Sequence, residues 1–330
     1  MDIELSKAYG CLAGVAIGDA MGSPTTFMSP EEIREKYGFV RNFIKPPKEH
    51  LIHGGLKAGQ VTDDTEMTLL VAHSIISCEK IDTECYVKHL LRWVLERGLL
   101  ETDYLGPSTR SALLQIIQGV SIEKSGMFGT TNGAAAKISP IGIVNRRNLE
   151  KTVNDVYKIC LPTHGTNIAI SAAAAVACAI SAAFNDDSDV NGLLDAAIYG
   201  AKEGYKLGFR YPSAPVVKRI ELALRLIEEA KNEEDACRLL YEYVGMGVAA
   251  NESIPSAIGI IKLANGDPIK AITLAVNCGG DSDTIASIVG GICGALQGID
   301  AFPKHYVEVV EEINGINLRE VAEKLLTVRG

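Results

Sequence analysis

The stretch Thr166–Phe184, TNIAISAAAAVACAISAAF, decides the fold. It comes close to the length of a membrane-spanning helix. Alanine and serine dominate it, however, and polar residues lie at both ends. A helix that is apolar all round is a buried one, and a core helix of a soluble bundle fits this composition better than a membrane span. Side chains this small let neighbouring helices approach closely. On either side, helical periodicity prevails. Leu69, Leu70, His73 and Ile76 fall at helix spacing, as do Val87, Leu90, Leu91 and Val94. Runs near 191–207, 216–231, 234–247 and 303–313 read the same way. Alternating strand patterns of useful length are nearly absent. Stretches with Gly and Pro at 22–30, 44–60, 126–142 and 161–166 read as loops between helices. Gly-rich patches from Gly10 to Gly22 and from Gly290 to Gly298 point to close helix packing. The sequence therefore predicts one compact all-α domain of many helices over residues 1–330.

The 330 residues are 47% hydrophobic and 22% charged, ample for a large core. A net charge of −9 argues against binding along a phosphate backbone, which needs stripes of Lys and Arg. No nucleic acid and no membrane is expected as a partner. Eight cysteines are scattered without a Cys-x-x-Cys pair, which speaks against a zinc or thioredoxin-like site. Most sit in apolar helical runs and read as small core residues, although a disulfide stays open. Met1-Asp2-Ile3-Glu4 lacks the basic region of a signal peptide, so a cytoplasmic location is expected.

Two short acidic segments carry the chemistry. The first is Val61-Thr62-Asp63-Asp64-Thr65, the second Gly279-Gly280-Asp281-Ser282-Asp283-Thr284. Each opens an apolar, helix-like run. Thr62 reads as an N-cap with Asp63 and Asp64 in the opening turn. Acids there also complement a helix dipole, a sufficient reason for that segment taken alone. Asp281 and Asp283, two apart, share no face of a regular helix. They converge if Asp281 lies in the glycine loop and Asp283 in the first turn, an irregular path that paired glycines permit. Four carboxylates in one small volume cannot all stay ionised unaided. Two hard divalent cations would balance them, and such ions prefer oxygen ligands.

With further motifs the chain resembles the ADP-ribosylglycohydrolase family, which includes the dinitrogenase reductase-activating glycohydrolases. The motifs are Gly18-Asp19-Ala20-Met21-Gly22, Thr62-Asp63-Asp64-Thr65, Gly106-Pro107-Ser108-Thr109, Thr131-Asn132-Gly133-Ala134, Ser139-Pro140, Thr163-His164-Gly165, Glu252-Ser253-Ile254-Pro255 and Gly280-Asp281-Ser282-Asp283-Thr284. They span nearly the whole chain. The resemblance implies an all-α bundle with a two-metal cleft holding Mg²⁺ or Mn²⁺. It implies Thr62, Asp63, Asp64, Asp281, Asp283 and Thr284 as metal ligands. It further implies cleavage of the N- or O-glycosidic bond of an ADP-ribosylated protein or small ADP-ribosyl conjugate. Asp63, Asp64, Asp281 and Asp283 would serve catalysis, accepting protons and stabilising oxocarbenium-like charge. Asn132, Gly133 and Ala134 would cradle phosphate, and His164 would touch ribose or phosphate. Asp19 is expected beneath the site, bonded to backbone donors.

Two departures bear on the substrate. Many family members carry a Glu near the metals where this chain has Thr26, in Ser23-Pro24-Thr25-Thr26-Phe27. A hydroxyl cannot take a proton as a carboxylate does. Asp63 or Asp64 is then the base, or Glu31 or Glu32 reaches in, with Thr26 left at the substrate edge. Ala135-Ala136-Lys137 stands where the family often has Met-Arg, and lysine lacks the guanidinium fork. Hydrolysis of a smaller riboside or nucleoside with the same site is one alternative. A non-catalytic ADP-ribose-binding relative is the other.

Overall fold

The computed structural model describes residues 1–102 and 104–328, and helices carry most of them. Those that build the site are α1 (Ile3–Gly22), α2 (Asp63–Cys78), α3 (Leu149–His164), α4 (Asn167–Ala183), α5 (Val190–Gly204), α6 (Ala250–Ala264), α7 (Pro268–Cys278) and α8 (Ser282–Gln297). Among the described residues there is no strand, only isolated bridges joining Met28 to Gly280, Thr131 to Ala249 and Thr166 to Phe209. The all-α expectation holds.

The alanine-rich segment is the buried helix α4, with every residue covered. It packs between α3 and α5 and touches α6 and α8. Its small side chains make the crossing close: a Cβ on Gly200 of α5 would lie 2.2 Å from the carbonyl oxygen of Ala174. No described helix is long and apolar enough to cross a membrane.

The glycine patches pair with each other. α1 runs antiparallel along α8, and a Cβ on Gly14 would sit 2.0 Å from the Gly290 carbonyl oxygen. A Cβ on Gly18 would sit 2.1 Å from that of Ala286. Only bare backbone permits this contact. It brings Asp19, near the end of α1, beside Asp283 in the first turn of α8. α2 enters the same corner through its N-terminus.

Local expectations failed where tertiary contacts complete short helices. The 126–142 loop contains helical turns at Gly133–Ala136 and Ser139–Val144, the second opened by Pro140. The 161–166 loop is largely the end of α3, with Pro162 in the last turn. There the proline's carbonyl accepts from the Ser125 hydroxyl at 2.7 Å. The 234–247 helix changes to a π turn at Leu240–Val244. Cys11, Cys160, Cys178 and Cys293 are free and buried, as expected of core residues. Cys78 pairs with Cys85 and Cys237 with Cys278, pairings the sequence left open.

Candidate active site

Thr62 caps α2, accepting from the backbone N–H of Asp64 at 3.3 Å. Its own hydroxyl donates to Asp19 at 2.7 Å, and its backbone N–H donates to the same carboxylate at 2.9 Å. Asp19 also accepts from the Thr65 backbone at 3.1 Å and from the Thr65 hydroxyl at 2.5 Å. The fully buried Asp19 thus ties the N-terminus of α2 to α1, the supporting part expected of it.

The second acidic segment turns as its glycines suggest. Gly279 and Gly280 have φ of 77° and 73°, and a Cβ on Gly280 would lie 2.2 Å from the Met246 carbonyl oxygen. The Gly280 N–H donates to Met28 at 2.9 Å and the Asp281 N–H to Met246 at 2.7 Å. Asp281 then occupies the N-cap position of α8 and Asp283 its first turn.

Asp63, Asp64, Asp281, Asp283 and Thr284 line one cleft of about 240 Å³. Asn132, Gly133 and His164 line it too. The Asn132 side-chain amide donates to Asp281 at 2.5 Å, which joins the two halves of the wall. Among the described residues no group of three or more His, Cys, Asp or Glu side chains is arranged to hold a metal ion; Asp63, Asp64, Asp281 and Asp283 share the cleft wall.

Three expected residues stand behind the cleft. Thr62 is engaged with Asp19, as above. Ala134 is buried in the Gly133–Ala136 turn. Thr26 is 2% exposed; its hydroxyl donates to the Gly22 carbonyl at 3.2 Å and accepts from the Asp283 N–H at 3.4 Å. It therefore lies beneath the first turn of α8 at Asp283 and is not part of the cleft lining. Glu31 and Glu32 do not reach in either. Both are exposed, and Glu32 closes a capping box by accepting from the Ser29 N–H at 2.7 Å. Glu31 lines a separate cavity of about 600 Å³ with Arg34, Phe39 and Tyr241, larger but without a cluster of buried carboxylates.

Sequence reasoning missed His53, from the 44–60 loop. Its Nε2 lies 2.7 Å from Asp283 Oδ2, and it lines the cleft. Its nearest local signal is His50, whose Nδ1 accepts from the His53 N–H at 3.1 Å. Tyr104, also on the cleft wall, is fixed by donating to Glu66 at 2.8 Å.

The electrostatics follow from burial. Burial and the charge of Asp283 raise Asp63 to about 7 and Asp281 to about 8. Burial together with Asp63 and Asp283 holds Asp64 well above the usual carboxylate range. Burial raises Asp19 to about 6 against the pull of its threonine partners. Asp283 alone goes down: burial pushes it up, but the hydrogen bond and charge of His53 outweigh that. Among the described residues four buried side-chain atoms have no hydrogen-bond partner, and of these Asp64 Oδ2 belongs to the cleft. An orphaned carboxylate oxygen among mutually repelling acids fits a bound cation in chemistry and in charge.

The family model for ADP-ribosylglycohydrolase matches residues 1–330. The chain is 31% identical to the Escherichia coli K12 protein YegU over 99% of its own length and 98% of the relative's. It is 24% identical to an ADP-ribosylarginine hydrolase of Serratia proteamaculans, covering 96% of this chain and 79% of that one. A solved structure described as an ADP-ribosylglycohydrolase-related protein complex superposes with a TM-score of 0.73 at 21% identity, covering both chains completely, which shows a common fold. The match over the full length, on a helical frame that gathers the two acidic segments, places this chain in the ADP-ribosylglycohydrolase family, whose members are hydrolytic enzymes.

Proposed function

We propose that this protein hydrolyses the N- or O-glycosidic bond between an ADP-ribosyl group and its acceptor, with the help of two divalent cations, Mg²⁺ or Mn²⁺. The observation that carries the reading is the shared cleft of Asp63, Asp64, Asp281 and Asp283, from two distant segments of the chain. Together with Thr284 they would hold the cations, and Thr62 would join them only by turning its hydroxyl from Asp19. When bound, such ions supply Lewis acidity toward sugar hydroxyls and water.

The chain's own groups do the rest. Asn132 fixes the orientation of Asp281 through its amide. Asp63, partly exposed on the cleft wall, is open to an incoming water and takes its proton. The surrounding carboxylates stabilise positive charge that develops at the anomeric carbon. Backbone N–H groups around Asn132, Gly133 and Ala134 are suited to phosphate oxygens. His53 keeps Asp283 ionised.

The test is release of ADP-ribose from an ADP-ribosylarginine conjugate with Mg²⁺ present and its loss with a chelator. The relative from Serratia makes arginine the first acceptor to try. Absence of release from both this conjugate and an O-linked ADP-ribosyl conjugate would overturn the reading. A second reading, hydrolysis of a smaller riboside, draws on the cleft size. At about 240 Å³ it lies below the roughly 300–1,000 Å³ of ordinary small-molecule sites. Cleavage of simple ribosides with none of the ADP-ribosyl conjugate would favour it.

A further inference from the structure

Lys137 is one of the largest completely buried side chains in the protein, and the site chemistry above does not use it. It follows the Gly133–Ala136 turn and points away from solvent. Its Nζ donates to Thr163 Oγ1 at 3.0 Å and stands 5.6 Å from the centre of the Tyr86 ring. Thr163, also fully buried, lies 2.8 Å through Oγ1 from His164 Nδ1. His164 Nε2 lies 3.0 Å from Thr131 Oγ1, which donates to Ser108 Oγ at 3.0 Å. His164 and Thr131 both line the cleft.

The direction of the protons along this chain follows from its first member. Burial lowers Lys137 to about 8, so at neutral pH and below it is an ammonium, which only donates. Thr163 Oγ1 therefore accepts from Lys137, and its single proton is free to go to His164 Nδ1. Burial, with the Lys137 charge behind it, holds His164 well below its ordinary value, so the ring is neutral and has one proton to place. With Nδ1 accepting, that proton belongs on Nε2, the nitrogen 3.0 Å from Thr131 Oγ1. The partner of one ring nitrogen thus sets what the other can do.

We propose that Lys137 is a positioning residue which, through Thr163, fixes His164 as the Nε2–H tautomer and so makes this wall of the cleft a hydrogen-bond donor to substrate oxygens. For an ADP-ribosyl ligand, which rests on the functional reading above, the acceptors are ribose or phosphate oxygens. The lysine does not touch the substrate.

The test is nitrogen–proton correlation of the imidazoles in the metal-free, full-length protein labelled in histidine, with His164→Gln assigning the signal. The expected wild-type signature is Nδ1 bare and Nε2 protonated. Thr163→Ser should keep it. Thr163→Val, which keeps the shape and removes the hydroxyl, and Lys137→Met should each move the proton wholly or partly to Nδ1. A wild-type ring protonated on Nδ1 would overturn the proposal, as would an unchanged Nε2–H signature in either variant. Should Lys137→Met not fold, Thr163→Val decides alone. The second readout is ADP-ribose affinity. Thr163→Val should weaken it about tenfold, the worth of one hydrogen bond, and Thr163→Ser should restore it. Equal affinity in wild type and Thr163→Val would refute the substrate half of the proposal. A wild-type protein that does not bind ADP-ribose would instead count against the functional reading, and the tautomer signature would still judge Lys137.

Discussion

His53 and Asp283 meet at 2.7 Å from positions 230 residues apart, and this contact separates Asp283 from the other acids of the cleft. His53 is raised: burial lowers it, but the hydrogen bond and charge of Asp283 outweigh that. A raised histidine contributes stability that is present below its unfolded value and lost as pH rises through the folded one. The lowered Asp283 contributes stability that is present above its unfolded value and lost as pH falls through the folded one. The pair therefore works between those two folded values. Within that window His53→Ala should destabilise the metal-free protein by about 3 kcal/mol, since breaking a buried pair strands a charge. Denaturant melts at several pH values check this, and the gap between wild type and variant should narrow as pH rises through the His53 value.

The other carboxyls behave in the opposite sense. Asp19, Asp63 and Asp281 stand at about 6, 7 and 8 in the folded protein. A carboxyl raised on folding contributes stability that is present below its unfolded value and lost as pH climbs through the folded one. The metal-free protein should therefore lose melting temperature, on the order of 5 °C, between about pH 5 and pH 8. Saturating Mg²⁺ should cancel the loss, because the cations take the place of the protons. Melting curves with and without a chelator across this range are the measurement.

Asn132 holds Asp281 by one short hydrogen bond at 2.5 Å. Asn132→Ala leaves the fold and the four aspartates in place but lets Asp281 turn. Partners that orient metal ligands are worth about 10–100-fold in metal affinity or activity. A Mg²⁺ dissociation constant weakened by at least about tenfold, read by calorimetric titration, is the expected outcome.

Thr26→Glu would seem to restore a missing acid. Thr26 is buried beneath the first turn of α8, however, with its hydroxyl bonded to the Gly22 carbonyl and the Asp283 N–H. A carboxylate there would lie buried beside another carboxylate. The substitution should cost about 2–4 kcal/mol of stability and give no rise in hydrolysis. A large gain in turnover would show that the side chain reaches the cleft after all.

What could be read from the sequence was whatever local physics dictates. Thr62 as a cap, Asp63 and Asp64 in a first turn, and the Gly279-Gly280 bend before Asp281 and Asp283 each follow from a few neighbouring residues. The alanine run and the glycines of α1 and α8 announced close helix packing for the same reason. His53 could not be read so. It stands in an irregular loop, and only the folded chain brings it to Asp283. Thr26 was expected at the substrate edge because the resemblance aligns a chain position without showing which way its side chain turns. Lys137 did leave a trace, a single charge within the apolar run Ala134-Ala135-Ala136-Lys137-Ile138, but its partner Thr163 comes from another helix.

The central claim is that the two acidic segments jointly bind divalent cations. Its most direct test is the melting temperature of chelator-treated protein before and after saturation with Mg²⁺, with Asp63→Ala and Asp281→Ala as controls. The wild-type protein should show a clear rise and neither variant any. Identical melting of the metal-free and Mg²⁺-saturated wild-type protein would contradict it.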